Sequence, residues 1–259
     1  MRNKKFSKNQ PKKFWNQEYA QAEYLALSAR PSENLIKFTR WLEREYGKGW
    51  LNKWTTVLDL GCGNGRHLIY LNQTFGCRGY GYDISEEAIK QAINHAGSSA
   101  NGPNLGRSAS GNPKLKPLAT SLNFEVRSLT EALPLADQSV DLALDMMSSH
   151  VLRQTERERL RDEVLRVLKP RGYLLFKTFL AEGDIHTKRL LREHPAGEPG
   201  SYIHPELGVY EHVWTIDEIK DFFGPYFEVR KIEKSHKHIL HGRAHKRRYV
   251  VVYLEKKDD

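Results

Sequence analysis

The spacing of apolar positions divides the chain into alternating strands and helices. Residues 14–46 read as helix. Phe14, Trp15, Tyr19, Tyr24 and Leu25 cluster before Pro31, and Leu35, Ile36, Phe38, Trp41, Leu42 and Tyr46 then repeat at helical spacing until Gly47 and Gly49 stop it. A short apolar run at 57–60 has the pattern of a buried central strand, and helical spacing resumes at 67–71. Residues 77–85 predict a second strand ending in Asp83, followed by a helix with Ser85 as its cap and Glu86 and Glu87 in its first turn. Further strands are expected at 123–127, 140–144, 173–179, 227–232 and 247–254. A charged helix over 156–168 presents Leu160, Val164, Leu165 and Leu168 on one face, and Lys169-Pro170-Arg171-Gly172 turns the chain into the fifth strand. Thr215 and Glu218 form a capping box for a helix that ends near Gly224-Pro225. Two stretches lack such patterning. Residues 97–121, rich in Gly, Ser, Asn and Pro, read as a surface insertion, and residues 180–214 contain no long periodic element.

The chemistry concentrates where the first strand ends. Gly61, Gly63 and Gly65 stand at alternate positions between strand and helix, where backbone must come close to a ligand and a Cβ would block it. A dinucleotide fold calls for Gly-x-Gly-x-x-Gly and a pyrophosphate on the helix N-terminus. Here the spacing is Gly-x-Gly-x-Gly, and Asp59 stands two residues before the first glycine. A carboxylate there repels a pyrophosphate and suits an ammonium or sulfonium. Asp83, at the carboxyl end of the second strand, can accept hydrogen bonds from both hydroxyls of a ribose.

The octet Leu58-Asp59-Leu60-Gly61-Cys62-Gly63-Asn64-Gly65, with Asp83 following, resembles the first two strand ends of the class I S-adenosylmethionine-dependent methyltransferases. Leu133-Pro134 and the stretch 163–175 are similar to later parts of that family. The resemblance implies a Rossmann-like α/β fold, a seven-stranded, mostly parallel sheet with one antiparallel strand and helices on both faces. It implies an N-terminal basic tail and helical cap over 1–50, a methyltransferase domain over 51–259, and a substrate-covering segment at 180–214. S-adenosyl-L-methionine is the implied cofactor, held by Asp59, Gly61, Cys62, Gly63, Asn64, Gly65, Asp83 and Ile84. The family's acid after the third strand is replaced by Ser128 and Leu129, so the adenine is expected against backbone and an apolar wall of Ile84 and Leu129. Asp145 and Met146 end the fourth strand, at the edge where parallel sheets collect ligands, and with Ser149 and His150 are candidates for the floor between cofactor and acceptor. His150 is either a general base or a packing histidine. Tyr19 and Tyr24 are either core aromatics or a lid, and His212 is a further candidate on the substrate side.

Composition narrows the rest. The chain of 259 residues carries 41 Lys and Arg against 32 Asp and Glu, a formal +9 that gathers before Glu18 and over 230–248. These ends are either solvated surface or a contact for RNA or another anion. No run approaches the ~20 apolar residues of a membrane span. Two cysteines make neither a disulfide framework nor a zinc site, and a cytoplasmic protein is expected. Four histidines within 236–245 could suggest a metal, but their neighbours are Lys and Arg, so none is expected. Missing from the fourth strand's end is the Asn-Pro-Pro-Tyr type run that grips planar amino groups; Asp145-Met146-Met147-Ser148 stands there. The expected reaction is methyl transfer to an unidentified acceptor, a small molecule first. The alternatives are an RNA methyltransferase or RNA-binding protein using the basic termini and, further off, an NAD(P)-dependent oxidoreductase.

Overall fold

The structure, a computed structural model, describes residues 10–21, 28–99, 121–236, 239–240, 243–244 and 247–258. Tyr24, nearly all of the 97–121 insertion and most of the histidine-rich loop lie outside them. Seven strands form one sheet in the order β3-β2-β1-β4-β5-β11-β8, with β1 at Thr56–Leu60, β2 at Arg78–Asp83, β3 at Leu122–Val126, β4 at Val140–Met146, β5 at Leu168–Phe179, β8 at Phe227–Lys234 and β11 at Tyr249–Lys256. Of these, β11 runs antiparallel to both its neighbours, β5 and β8. The chain divides into two compact units, Trp15–Arg127 and Ser128–Asp259 with the residues before Trp15.

In the unit Trp15–Arg127, β1 pairs in parallel with β2, and β2 with β3. The helix expected over 14–46 is instead two, α1 (Gln10–Gln21) and α2 (Glu33–Tyr46). The physical reason is local. Pro31 disfavours helical backbone in the residue before it, and Ser32 starts a new helix by accepting from Asn34 N. Leu35, Phe38 and Leu42 share the buried face of α2 and have no exposed surface. Each contributes about 1.5–3 kcal/mol by leaving water. Two further helices are α3 (Arg66–Phe75), which follows the glycine loop, and α4 (Glu86–Ser99). Phe124 of β3 packs where close approach is needed. A Cβ on Gly65 or Gly81 would come within 2.9 or 2.7 Å of its ring.

In the unit Ser128–Asp259, β4 and β5 pair in parallel and α5 (Gln154–Val167) buries Leu160, Val164 and Val167. Strand β5 begins five residues earlier than expected, and the Pro170-Arg171-Gly172 turn lies inside it. The irregularity survives as a register shift between Val140 and Leu142 and as left-handed backbone at Arg171, φ 59°. Residues 180–214 are more ordered than their pattern suggests. They hold α6 (Ile185–Glu193) and a hairpin of β6 (Ser201–Ile203) and β7 (Tyr210–His212), elements too short to show a period. The capping box of α7 (Ile216–Phe223) forms as expected. Trp214, Phe176, Phe223 and Phe227 meet in an aromatic cluster beside it. The strand expected from 247 begins at Tyr249, leaving Arg247 and Arg248 in the approach to it. Two-residue strands β9 (Ile239–Leu240) and β10 (Arg243–Ala244) pair with each other.

Candidate active site

In the unit Trp15–Arg127 the site is built by backbone. Gly61, Gly63 and Gly65 all have positive φ, 67°, 54° and 76°, which an L side chain rarely adopts. Gly61 N and Cys62 N both donate to Tyr82 O, at 2.7 and 3.0 Å, tying the loop to the end of β2. Asp83 receives the loop in turn: its Oδ2 accepts from Gly63 N at 2.9 Å and its Oδ1 from Ser85 N at 2.9 Å. Burial raises the Asp83 pKa, opposed by the amides of Ser85, Gly63 and Ile84. Asp59 is buried, with His67 Nδ1 3.8 Å from its Oδ2. Burial also pushes the Cys62 thiol up, reinforced by Asp83 and Asp59. Asn64 spans outward, its Nδ2 donating to Ser28 O and its own carbonyl 3.2 Å from His95 Nδ1. Ile84 is half-buried.

Helix α1 reaches the same loop. The Tyr19 hydroxyl lies where a Cβ on Gly63 would stand. Burial raises its pKa, with Asp83 and Cys62 adding to the effect. Gln91 of α4 donates to Tyr19 O at 2.6 Å, and Ser85 Oγ donates to Asn16 Oδ1 at 2.9 Å, which hold α1 in register.

Ser128, Leu129, Asp145, Met146, Ser149, His150 and His212 belong to the other unit. Ser128 Oγ lies 2.8 Å from Thr130 Oγ1, and Leu129 and Met146 are half-buried. Asp145 Oδ1 accepts from Ser148 N, Ser148 Oγ and Ser149 N, a tight turn at the end of β4. Met147 within that turn has φ 74°, and its N–H donates to Lys177 O at 3.0 Å. The turn sends His150 inward, 6% exposed, edge-on to Phe179 with ring centroids 5.1 Å apart. Its Nδ1 is closed off from solvent without a hydrogen-bond partner among the described residues. Burial lowers its pKa, with Arg247 and His212 adding while Glu211 and Asp145 oppose, so the ring is neutral at pH 7. His212 is engaged at both nitrogens, Nδ1 with Ser201 Oγ at 2.8 Å and Nε2 with Glu218 Oε1 at 2.7 Å.

Around His150 stand residues that sequence reasoning did not single out. Arg247 lies 3.4 Å from the centroid of Phe179 and pairs through Nη1 with Glu211 Oε2 at 2.6 Å. Tyr202 donates to the same oxygen. Burial opposes ionisation of Glu211, yet Arg247, His150 and the Tyr202 hydroxyl together hold its pKa below the ordinary value. In the sequence, Arg247 is one more cation in a basic run, and Glu211 stands 36 residues away.

The sheet order, the glycine turn after β1 and the acid ending β2 define a Rossmann-like methyltransferase fold. Residues 58–176 match the family described as a methyltransferase domain. A glycine/sarcosine/dimethylglycine N-methyltransferase from Actinopolyspora halophila is 29% identical over 188 residues, 69% of this chain and 29% of that protein. A SAM-dependent methyltransferase structure from Methanosarcina mazei is 26% identical, with a TM-score of 0.62 over 81% of this chain and 96% of that one. Geranyl diphosphate C-methyltransferase from Streptomyces coelicolor, at 13% identity, shares the fold with a TM-score of 0.62 over 96% of this chain and 98% of that one. This chain spans 29% and 51% of the lengths of two curated relatives it matches. The match over residues 58–176 and the shared fold support a class I S-adenosylmethionine-dependent methyltransferase. Among the described residues, no helix is long and apolar enough to cross a membrane.

Proposed function

We propose that the protein transfers a methyl group from S-adenosyl-L-methionine to a small-molecule acceptor. The observation that carries this reading is the Asp83 carboxylate, held at the end of β2 by Gly63 N and Ser85 N. Burial makes it a strong acceptor for donors that a ligand brings. A ribose diol supplies two such donors without adding charge, which fits a site whose other buried acid is Asp59. The glycine turn takes the positive φ that L side chains rarely adopt, and Cys62, Asn64 and Ile84 are the further cofactor candidates of this unit. Ser128, Leu129, Asp145 and Met146, at the carboxyl ends of β3 and β4, are further cofactor candidates. A sulfonium supplies an already activated methyl group, so the chain's own work is to orient the acceptor, exclude water and take up a proton where there is one. Neutral, buried His150 is the candidate base. Ser149 and Tyr19 are candidates for the acceptor side, with His212 in support. The A. halophila relative acts on small amino acids by its name, which supports a small acceptor before RNA. Two buried cysteines, Cys62 and Cys77, held as thiols outside any disulfide, support a cytoplasmic setting.

Calorimetric titration of the full chain with S-adenosylmethionine, beside Asp83→Ala, tests this. Micromolar binding that the variant loses is the expected result. Equal binding by both proteins would remove Asp83 from the site, and no binding by either would sink the reading.

A further inference from the structure

Arg247 is held in an unusual way, its side chain 16% exposed. Its guanidinium carbon lies over the Phe179 ring, and Nη1 is taken by Glu211, which Tyr202 also holds. The remaining donors, Nε and Nη2, are closed off from solvent and have no acceptor among the described residues. Arg157 and Arg248 leave only Nε in this condition. Arg248, for example, spends its two terminal nitrogens on Glu182 O and Ser235 O. In Arg247 the two unmet donors are adjacent and parallel, the edge that matches both oxygens of a carboxylate. Native folds rarely leave a pair of charged donors buried and unmet.

Its position adds to this. Phe179 is the last residue of β5 and His150 follows β4, so the cluster sits at the carboxyl edge of parallel strands, where ligands of α/β sheets collect. His150 packs edge-on against the same Phe179 ring and also has an unmet, buried nitrogen. Glu211 selects among anions. It already neutralises Arg247, so a dianion such as phosphate would carry a second charge against the Glu211 carboxylate, whereas a single carboxylate need only share the guanidinium.

We propose that the Nε–Nη2 edge of Arg247 binds a carboxylate, and that this group belongs to the methyl acceptor, which is therefore a carboxylate-bearing small molecule. The assignment to the acceptor rests on the methyltransferase reading above; the carboxylate site does not.

Acetate is the probe, with acetamide as its neutral counterpart and inorganic phosphate as the dianion, all at constant ionic strength. In the full-length protein labelled with nitrogen-15, the Arg247 Nε–H resonance, assigned by its loss in Arg247→Lys, should shift saturably with acetate and not with acetamide. Acetate should raise the melting temperature of the wild type, and the half-saturating concentration should rise about tenfold or more in Arg247→Lys, which keeps the charge beside Glu211 but loses the fork. Phosphate should act more weakly than acetate. An unmoved resonance, an equal response to acetamide, or an unchanged acetate response in Arg247→Lys would show the edge to hold structural water only and would overturn the proposal. S-adenosylhomocysteine binding, measured by calorimetry on the same samples, separates the two readings. Cofactor binding without an acetate response removes the carboxylate site alone. An acetate response without cofactor binding removes the acceptor assignment and the methyltransferase reading.

Discussion

Asp83 and Glu211 are both buried carboxylates, and their surroundings push them in opposite directions. Among the described residues, Asp83 is met by backbone amides; burial outweighs them, and its pKa rises. Glu211 suffers the same burial but has the Arg247 guanidinium and the Tyr202 hydroxyl against it, and its pKa falls. The first is a group whose charge the fold leaves under-compensated, the condition of a site awaiting donors. The second is compensated within the fold and serves to fix a neighbouring arginine. A buried acid is thus read by its partners as much as by its burial.

The contrast can be broken most forcefully at Glu211. Glu211→Gln leaves the largely covered Arg247 without its counter-charge, and a loss of about 3 kcal/mol in unfolding free energy is expected, read by chemical denaturation. Asp83→Ala should weaken S-adenosylhomocysteine binding about 100-fold, roughly 3 kcal/mol for two charge-assisted hydrogen bonds, in a calorimetric titration. The melting temperature should move far less than in Glu211→Gln, because the native state already resists charging Asp83. Equal destabilisation by the two variants would erase the distinction. Gly65→Ala forces a side chain into φ 76° and against Phe124 and Ala92, and should cost about 2–3 kcal/mol of stability. A smaller effect is expected in the pH profile. Glu211, lowered in the folded state, contributes stability present above its unfolded pKa, near 4.5, and lost as pH falls through its folded value. His150, also lowered, contributes stability above about 6.5 that is lost on acidification. Asp83, raised, acts in reverse: its contribution is present below its unfolded pKa, near 3.8, and lost as pH rises through its folded value. Unfolding measured from pH 3 to 8 should therefore show Asp83→Asn gaining on the wild type as pH rises, and Glu211→Gln gaining on it as pH falls.

The two acids also differ in how far the sequence reveals them. Asp83 was legible because everything that defines it is near in the chain: a strand end, a helix cap at Ser85, and a glycine loop one helix earlier. The capping box at Thr215 and the alternation of strands and helices were legible for the same reason. The break between α1 and α2 was hidden because apolar spacing continued across it while Pro31 and Ser32 carried the stop. The short elements at 185–212 were hidden because three-residue strands and a nine-residue helix leave no period to detect. The cluster of Arg247, Glu211, Tyr202 and His150 was hidden because its members come from four separate stretches of the chain. A largely covered arginine has the same letter as a solvated one. Only the fold distinguishes them.

Met147 connects this contrast to how the protein could be altered. A methionine in left-handed backbone stores about 1–3 kcal/mol of strain, and it does so in the turn that places Ser149 and His150. Selection for heat resistance would therefore find Met147→Gly an easy gain, since glycine adopts that backbone without penalty. The same substitution would loosen the platform beneath His150. If His150 has the role proposed above, a thermally hardened variant would lose turnover, and a screen that scores melting temperature alone would choose it.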